Sequence, residues 1–450
     1  MQPILRIAAG LLALFLGALL GALLGAQSVQ AAGVVGNGTP ASCTGNAFAN
    51  RLSGGGLVTF NCGPAPHTII VNTEVINANT TVDGGNRITL DGEDLRQIFI
   101  VQPGRTLTLR NIVLQKGNAS QGGCLYISAN ATATATNVRF TQCLAQPGVG
   151  GAVFNAGTFN VAHSRFVGNS ATGDAGIGQG RGGAIHNTGT LTADFTMFES
   201  NSARVHGGAI FNFRQATIND SRLESNTTAT GGGGAIAVLR DITRADRVQI
   251  NRSLFDGNSA ATLGGGIYNM IGDVTVNNTT FGGNQANQGG AIYADGLTST
   301  RLEFSTVFAN RADSGGGFFI NPGSAFTLTK SIVAGSRDRQ NTSPQLNCDS
   351  GGGIYVTQGY NIIGDNSCFN PGLGTDLTAT NPQLGALANN GGFSRTYLPN
   401  NGSPALNKVP KAQCVARDQR RFFRTATTCD IGAAERGAAQ PLIWTPLVRR

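Results

Sequence analysis

Residues 264–284 read Gly-Gly-Gly-Ile-Tyr-Asn-Met-Ile-Gly-Asp-Val-Thr-Val-Asn-Asn-Thr-Thr-Phe-Gly-Gly-Asn, and this stretch decides the fold. It contains three short β-prone pieces, which are Gly-Ile-Tyr-Asn, Val-Thr-Val-Asn and Thr-Thr-Phe. Apolar and polar residues alternate within each piece, as they do in half-buried strands. Because a helical period is absent, the stretch predicts three short strands that are joined by Gly, Asn and Asp corners.

The stretch is one copy of a repeat of about 25 residues. A pair of glycines recurs at Gly122, Gly150, Gly182, Gly207, Gly233, Gly264, Gly289, Gly315 and Gly351. A second motif, Ser/Thr-x-Phe-x-x-Asn, alternates with it and ends at Asn169, Asn201, Asn226, Asn258, Asn284 and Asn310. A propeller blade needs roughly 40 residues, which is more than one unit supplies. The repeat therefore predicts an all-β parallel β-helix with three short strands per coil.

The repeat also predicts which side chains stack inside this β-helix. The isoleucines of the glycine motif would form one internal ladder: Ile185, Ile210, Ile236, Ile267 and Ile292. The phenylalanines of the second motif would form another: Phe166, Phe198, Phe255 and Phe281. The recurring asparagines would occupy a sharp corner, where their amides can hydrogen-bond from coil to coil.

Composition and charge exclude several other classes of protein. Glycine accounts for 65 of 450 residues without a three-residue period, so the chain is not collagen. Charged residues are only 12%, which is too few for a helical bundle with a charged surface. The net charge is +8, yet no basic run is interleaved with aromatic residues. We therefore expect no specific nucleic-acid partner.

The N-terminus reads as an export signal. Residues 7–26 carry no charge, follow Arg6, and precede a small-x-Ala cleavage pattern at Val29-Gln30-Ala31. We expect residues 1–31 to be a signal peptide, with an uncleaved membrane anchor as the alternative. Either interpretation places the remainder of the chain outside the cytoplasm, with membrane contact only through this segment if it is not cleaved.

Eight cysteines agree with an oxidising compartment. Their clustering favours neighbour pairing: Cys43 with Cys62, Cys124 with Cys143, Cys348 with Cys368, and Cys414 with Cys429. A zinc site is not expected, because no C-x-x-C occurs and the four histidines do not flank the cysteines. We predict structural disulfides, no metal site and no cofactor; Ca²⁺ is conceivable but has no support in the sequence.

The alternation of Gly-Gly-Ala-Ile and Phe-x-x-Asn resembles the repeats of polymorphic outer-membrane proteins and of bacterial right-handed, pectin-lyase-like β-helix surface proteins, over residues 120–355. The C-terminal motifs resemble a choice-of-anchor Q domain: Asn381-Pro-Gln-Leu-Gly385, Asn390-Gly-Gly392, Gly402-Ser-Pro-Ala405, Asp418-Gln-Arg420 and Cys429-Asp-Ile-Gly-Ala433 with Glu435. The resemblance implies a right-handed coil and secretion or surface display, without defined catalysis. We expect a β-helix over 32–366, a disulfide-stapled choice-of-anchor Q-like region over 367–437 and a tail over 438–450.

One row of acidic residues is a candidate catalytic site. Glu199, Glu224 and Asp256 follow the phenylalanine position of the second motif in three successive coils, so they would stack on one face. Stacked carboxylates could serve a polysaccharide lyase or a glycoside hydrolase. The alternative is that they are solvated side chains paired with Arg165 and Arg222.

Two further features are candidate sites. An insertion carries five charged residues, and loops on a regular solenoid often bind ligands: Arg240, Asp241, Arg244, Asp246 and Arg247. His186 and His206 lie in adjacent coils and could bind a metal ion or transfer a proton. Alternatively, His186 takes the ring position that Tyr268 and Tyr293 hold in other coils.

These observations favour an exported, non-enzymatic protein that binds polysaccharide or another component of a cell surface or envelope. The lyase or hydrolase is the second hypothesis, and a purely structural spacer is the third. The oligomeric state, the ligand and the mode of anchoring have no signature in the sequence.

Overall fold

The computed structural model describes residues 33–173, 176, 178–239, 247–369, 372–424 and 427–439. Over these residues the chain winds into a parallel β-solenoid of about 12 turns with almost no helix, which confirms the predicted fold class. The predicted export segment, residues 1–31, lies outside the described residues. Within the described ranges, no helix combines the length and the apolar character that crossing a membrane requires.

Sheet I contains the strand that follows each glycine pair from Gly122 to Gly315, whereas the pair at Gly351 precedes Ile354–Thr357, a strand of sheet II. The strands of sheet I are Glu74–Ile76, Phe99–Val101, Leu125–Ile127, Val153–Asn155, Ile185–Asn187, Ile210–Asn212, Ile236–Leu239, Ile267–Ile271, Ile292–Ala294, Phe318–Ile320 and Cys348–Ser350. The glycine pair is needed at the corner before them. Gly207 has a φ of 67°, and a Cβ on Gly208 would overlap the carbonyl oxygen of Gly234 on the next turn.

Sheet II is bent, so that its strands form two rows and each turn contributes one strand to each row. The first row contains Gly33–Val35, Gly56–Phe60, Thr158–Ala162, Thr190–Asp194, Gln215–Asn219, Arg247–Asn251, Asp273–Asn277, Ser299–Glu303, Ala325–Thr329 and Ile354–Thr357. The second row contains His67–Ile70, Arg165–Val167, Met197–Glu199, Arg222–Glu224, Leu254–Asp256, Thr280–Gly282, Thr306–Phe308, Ile332–Ala334 and Ile362–Ile363. Three long strands pass through both rows: Thr80–Asp91, Thr106–Gln115 and Thr132–Thr141.

Sheet III adds a fourth strand to several turns, which the sequence analysis did not anticipate, and four of its six strands have only two residues. Its strands are Asn118–Gln121, Leu144–Val149, Ser170–Ala171, Ser202–Ala203, Thr227–Thr228 and Ser259–Ala260. Two residues such as Ser202 and Ala203 are too few to show an alternating pattern, which explains why the sequence does not reveal them.

The interior ladders lie where the sequence predicts them. Ile210 pairs in register with Ile185 and Ile236, and the column continues through Ile267 to Ile292. Phe166 stacks on Phe198 with ring centroids 4.9 Å apart. Leu223 continues this second column, which then reaches Phe255 and Phe281. All of these side chains are buried, so each turn buries its apolar residues against the turns on either side.

The predicted asparagine corner is a continuous hydrogen-bonded ladder. Each side-chain amide nitrogen donates to the side-chain oxygen of the next asparagine, from Asn169 to Asn310, over distances of 2.8–2.9 Å. The same oxygens accept from backbone N–H groups; Asn226 Oδ1 accepts from Asn201 N at 3.0 Å. This satisfies polar groups that the tight corner would otherwise bury without partners.

The N-terminal end of the solenoid is covered by a helix, Gly45–Leu52, which follows a 3₁₀ turn, Pro40–Ser42. Thr44 caps the helix, and its Oγ1 accepts from Ala47 N at 3.2 Å. Phe48 is buried against Phe60 and Phe99. The helix thus covers apolar side chains of the first turns.

All four predicted disulfides are present: Cys43–Cys62, Cys124–Cys143, Cys348–Cys368 and Cys414–Cys429. The last one lies in the segment after the solenoid, beside a 3₁₀ turn, Lys411–Gln413, and an antiparallel strand pair, Val409–Pro410 with Thr428–Cys429. The last strand of sheet II ends at Ile363, whereas the predicted domain boundary at residue 366 stays a prediction.

Candidate functional site

The predicted row of carboxylates exists on the outer face of sheet II. Glu199 pairs in register with Glu224, and Glu224 with Asp256, so the three residues lie on successive turns. Their strand neighbours Phe198, Leu223 and Phe255 point into the core. Period-two alternation therefore directs the carboxylates outward, as expected from their position after the phenylalanine.

Two of these carboxylates share an arginine from the C-terminal region, which we define as residues 372–439. Arg395 Nη2 lies 2.9 Å from Glu224 Oε1 and 2.6 Å from Asp256 Oδ2. Arg222 Nη2 lies 2.6 Å from the other oxygen of Glu224. Glu199 is paired with Arg165 at 3.3 Å. The partners that the alternative interpretation predicted, Arg165 and Arg222, are both in place, and Arg395 was not foreseen.

The electrostatics of the row follow from this arrangement. Burial raises the pKa of Asp256, and the adjacent Arg395 opposes that shift. The side chain of Glu224 is only 11% exposed and lies between two guanidinium groups. Carboxylates held in this way serve as ion-pair partners between the solenoid and the C-terminal region.

The C-terminal region continues along the same face. Thr280 Oγ1 donates to Gln419 Oε1 at 2.6 Å, and Ala433 N donates to Thr306 Oγ1 at 3.0 Å. Gly432 N donates to Lys330 O at 2.9 Å. The region therefore lies across the second row of sheet II from the turn of Glu224 to the turn of Lys330.

The region also contacts the corner between the two rows of sheet II, where one residue per turn has a positive φ. Arg421 makes two hydrogen bonds to the Asp220 carboxylate, at 2.8 and 2.9 Å, and its guanidinium lies over the Phe195 ring. Arg424 donates to Asn278 Oδ1 at 3.0 Å and lies over the Phe304 ring. The C-terminal region therefore covers residues of this corner from Phe195 to Phe304.

Buried ion pairs hold the C-terminal region together. Arg424 pairs with Glu435 at 3.0 Å, and both side chains are fully buried. Arg420 pairs with Asp418 at 2.7 Å. Asp418, Arg420 and Glu435 belong to the motifs that resemble a choice-of-anchor Q domain, so these motif residues have a structural role in this chain. The domain assignment itself stays a prediction.

The predicted binding loop falls largely outside the described residues. This applies to Arg240, Asp241, Arg244 and Asp246. Arg247 begins a strand of sheet II, is exposed, and pairs in register with Asp273. The hypothesis that this loop binds a ligand stays a prediction.

The two candidate histidines occupy different environments: His186 lies in a strand of sheet I, whereas His206 precedes the glycine pair at Gly207 and contacts the Tyr268 ring at 5.6 Å. His186 is stacked between Phe154 and Phe211, at centroid distances of 5.3 and 5.0 Å, and thus takes the ring position of its column. Burial and the nearby Arg181 lower the pKa of His186 to about 3 and that of His206 to about 4. Within the part of the chain that the structure describes, no group of three or more His, Cys, Asp or Glu side chains is placed to hold a metal ion.

The N-terminal third of the sheet II face differs from the remainder. In the described ranges, no hydrogen bond, ion pair or ring contact joins the C-terminal region to residues 66–165. A groove of about 310 Å³ lies there. Its lining includes Asn86, Arg87, Asn137, Arg139, His163 and Arg165. This groove is accessible on the face, whereas the acidic row is engaged by arginines.

Comparison with known proteins adds one match to a repeat family. The profile of the Chlamydia polymorphic membrane protein repeat matches residues 252–270 and 278–295, which are two neighbouring repeats. This match supports the resemblance to polymorphic outer-membrane proteins over these residues, whereas the pectin-lyase-like and choice-of-anchor Q resemblances stay predictions. A comparison with curated protein sequences found no match.

Among solved structures, the chain is similar to PfbA, a surface adhesin of Streptococcus pneumoniae. The sequence identity is 13%, and the similarity covers 73% of this chain and 91% of that one, with a TM-score of 0.34. A likeness this distant carries no information about shared function.

Proposed function

We propose that this chain is an extracytoplasmic, surface-displayed β-helix protein of adhesin-like type that binds polysaccharide along a lateral face of the solenoid. The display is supported by the match to a membrane-protein repeat and by four disulfides, which persist in oxidising compartments. Another envelope component remains the alternative ligand.

The observation that carries the proposal is that sheet II already holds the protein's own C-terminal region on its outer face. Its regularly spaced side chains bind the irregular C-terminal region through ion pairs and hydrogen bonds, as in the contact of Arg395 with Glu224 and Asp256. The same face is uncovered over residues 66–165, where an extended polymer could bind through the same kinds of contact. Binding is favoured over cleavage because all three candidate catalytic carboxylates are paired with arginine, Glu199 with Arg165 and the other two with Arg395.

The test uses residues 32–450 and a panel of soluble polysaccharides, both neutral and acidic. We expect at least one polysaccharide to retard the protein in affinity electrophoresis, with no release of new chain ends. Release of chain ends that Glu224→Gln and Asp256→Asn abolish would instead establish the lyase or hydrolase. A protein that binds nothing on the panel would contradict the proposed function.

A further inference from the structure

The uncovered groove on the second row of sheet II is basic. Its lining includes Arg87, Arg139, Arg165 and His163. No Asp or Glu is present among the described residues that line it. Arg139 and Arg165 lie in register on adjacent turns, so their side chains leave the sheet about 4.8 Å apart. Arg139 is exposed and has no carboxylate partner in the described ranges.

Asparagines form one wall of the groove. Asn137 Nδ2 donates to Asn86 Oδ1 at 2.7 Å and to Asn111 Oδ1 at 2.9 Å. These three residues have positive φ values between 51° and 61° and occupy the corner between the two rows of sheet II. The wall thus presents amide groups, which can both donate to and accept from hydroxyl groups.

The groove ends where the C-terminal region begins. The His163 ring is stacked on Phe195 at 5.1 Å, and Phe195 contacts Phe393 edge-on at 5.6 Å. Beside it, Arg165 reaches Glu199 at 3.3 Å. The groove therefore runs parallel to the solenoid axis over about four turns and stops against a folded segment.

We infer that this groove binds an extended anionic polysaccharide, with the arginines contacting its carboxylate or sulfate groups and the asparagines its hydroxyl groups. The inference rests on the proposed function and specifies its ligand. A guanidinium binds planar oxyanions through two parallel hydrogen bonds, and arginines repeated along an axis suit a charge that is repeated along a chain. A single-stranded nucleic acid is a poorer fit, because no Phe, Tyr or Trp lines the described groove to stack with bases.

The experiment measures the Kd of residues 32–450 for size-fractionated alginate, for carboxyl-reduced alginate of the same length, for heparin and for an oligodeoxythymidylate. We expect alginate or heparin to bind and carboxyl-reduced alginate to bind at least about tenfold more weakly, since each charge-assisted contact contributes on the order of one decade in affinity. Preference between alginate and heparin identifies carboxylate or sulfate as the anion.

Arg139→Gln and Arg165→Gln are each expected to weaken anionic binding about tenfold. The matched control is Arg204→Gln, which removes an exposed arginine outside the groove and changes net charge equally. Circular dichroism would confirm that each variant is folded. If Arg204→Gln weakens binding as much as the groove variants do, the attraction is diffuse and the inference fails.

Glu199→Gln provides a test that works by gain of affinity. This substitution frees Arg165 from its ion pair and removes the negative charge at the end of the groove, so we expect binding to tighten about threefold. Weaker binding by this variant would overturn the inference.

The outcomes separate the inference from the proposed function. Equal binding of alginate and its carboxyl-reduced form, without an effect of the groove variants, would overturn the inference and leave polysaccharide binding intact. Tighter binding of the oligodeoxythymidylate than of either polysaccharide would overturn the inference in favour of a nucleic acid. Absence of all polysaccharide binding would contradict both.

Discussion

Arg395 and Asp256 are 139 positions apart in the sequence, yet Nη2 of the arginine lies 2.6 Å from Oδ2 of the aspartate. The same nitrogen lies 2.9 Å from Oε1 of Glu224 on the preceding turn. One side chain therefore joins the C-terminal region to two turns of the solenoid. The contact converts a row that resembles a catalytic site into a docking site for the protein's own chain.

Removing this arginine should destabilise the protein. We expect Arg395→Gln to lower the free energy of unfolding by about 1–3 kcal/mol, because it leaves the half-buried Asp256 carboxylate without its cation. Denaturant titration followed by circular dichroism would measure the change. The matched control is Arg301→Gln, because the Arg301–Glu303 pair spans 4.0 Å and Glu303 keeps Lys330 at 2.8 Å, so this pair should contribute less than about 0.5 kcal/mol. Equal losses in the two variants would contradict the role assigned to Arg395.

The asparagine ladder should be among the most sensitive parts of the fold. Asn226→Ala would remove a fully buried side chain that donates to Phe198 O and Asn258 Oδ1 and accepts from Asn201. We expect a loss of about 3 kcal/mol or more, since several buried groups lose partners at once. Asn46→Ala, in the exposed surface of the N-terminal helix, should be neutral or slightly stabilising. Thermal melts of both variants would measure the change in stability. If Asn226→Ala were as stable as the wild type, the ladder would contribute little to the fold.

Glu74 should make stability depend on pH in the neutral range. Its side chain is buried in the first turns, and burial raises its pKa to about 7 from a usual 4.5. The folded state then binds more protons than the unfolded state between these values, so the free energy of unfolding should fall as pH rises from about 4.5 to 7. Glu74→Gln should remove this pH dependence. Its free energy of unfolding relative to that of the wild type should therefore rise by on the order of 2–3 kcal/mol between pH 4 and pH 8.

The comparison for Glu74 is Glu93→Gln, an exposed carboxylate paired with Arg96. This substitution removes an exposed carboxylate, so it separates the loss of a surface charge from the loss of a buried one. Chemical denaturation at several pH values would provide both difference curves. If the difference in stability between Glu74→Gln and the wild type did not change with pH, the raised pKa of Glu74 would be contradicted.

His186 should act in the opposite direction at acidic pH. Burial and Arg181 lower its pKa to about 3, so the folded state binds fewer protons than the unfolded state between pH 3 and 6.5. Stability should therefore fall as pH drops below 6.5, by about 1.4 kcal/mol per pH unit. His186→Phe keeps a ring between Phe154 and Phe211 and should become progressively more stable than the wild type as the solution is acidified. His163→Phe, at a half-buried position on sheet II, is the control, and a constant difference for His186→Phe would refute the prediction.

The sequence predicts the solenoid well because its determinants repeat. Ile210 and Ile236 lie 26 residues apart at the same position of the motif, and the structure places them in register. The four disulfides were likewise predictable, since each joins cysteines 15–20 residues apart. The strands of sheet III were missed, because four of the six have only two residues, and two residues carry no detectable periodicity.

The candidate site was only partly predictable. Stacking of Glu199, Glu224 and Asp256 follows from the repeat, but their partner Arg395 lies in a segment without a repeat. The groove was not singled out, because its arginines do not belong to a recurring position of the repeat. Arg87 and Arg139 lie before the first complete copy of the second motif, and Arg165 stands at the variable second position of that copy. Arg87 and Arg139 become neighbours of one cavity only through the coil.

The sequence by itself determined the coil: the repeat length, the inward-facing ladders, the asparagine corner and the disulfide pairing. These features depend on interactions between equivalent positions of successive turns, and a period in the sequence records them directly. Only the tertiary structure decided which part of the sheet II face is occupied. That outcome depends on where a non-repeating segment of some seventy residues, 372–439, finds complementary charges and hydrogen-bond partners, and contacts between distant, non-equivalent positions leave no periodic trace in the chain.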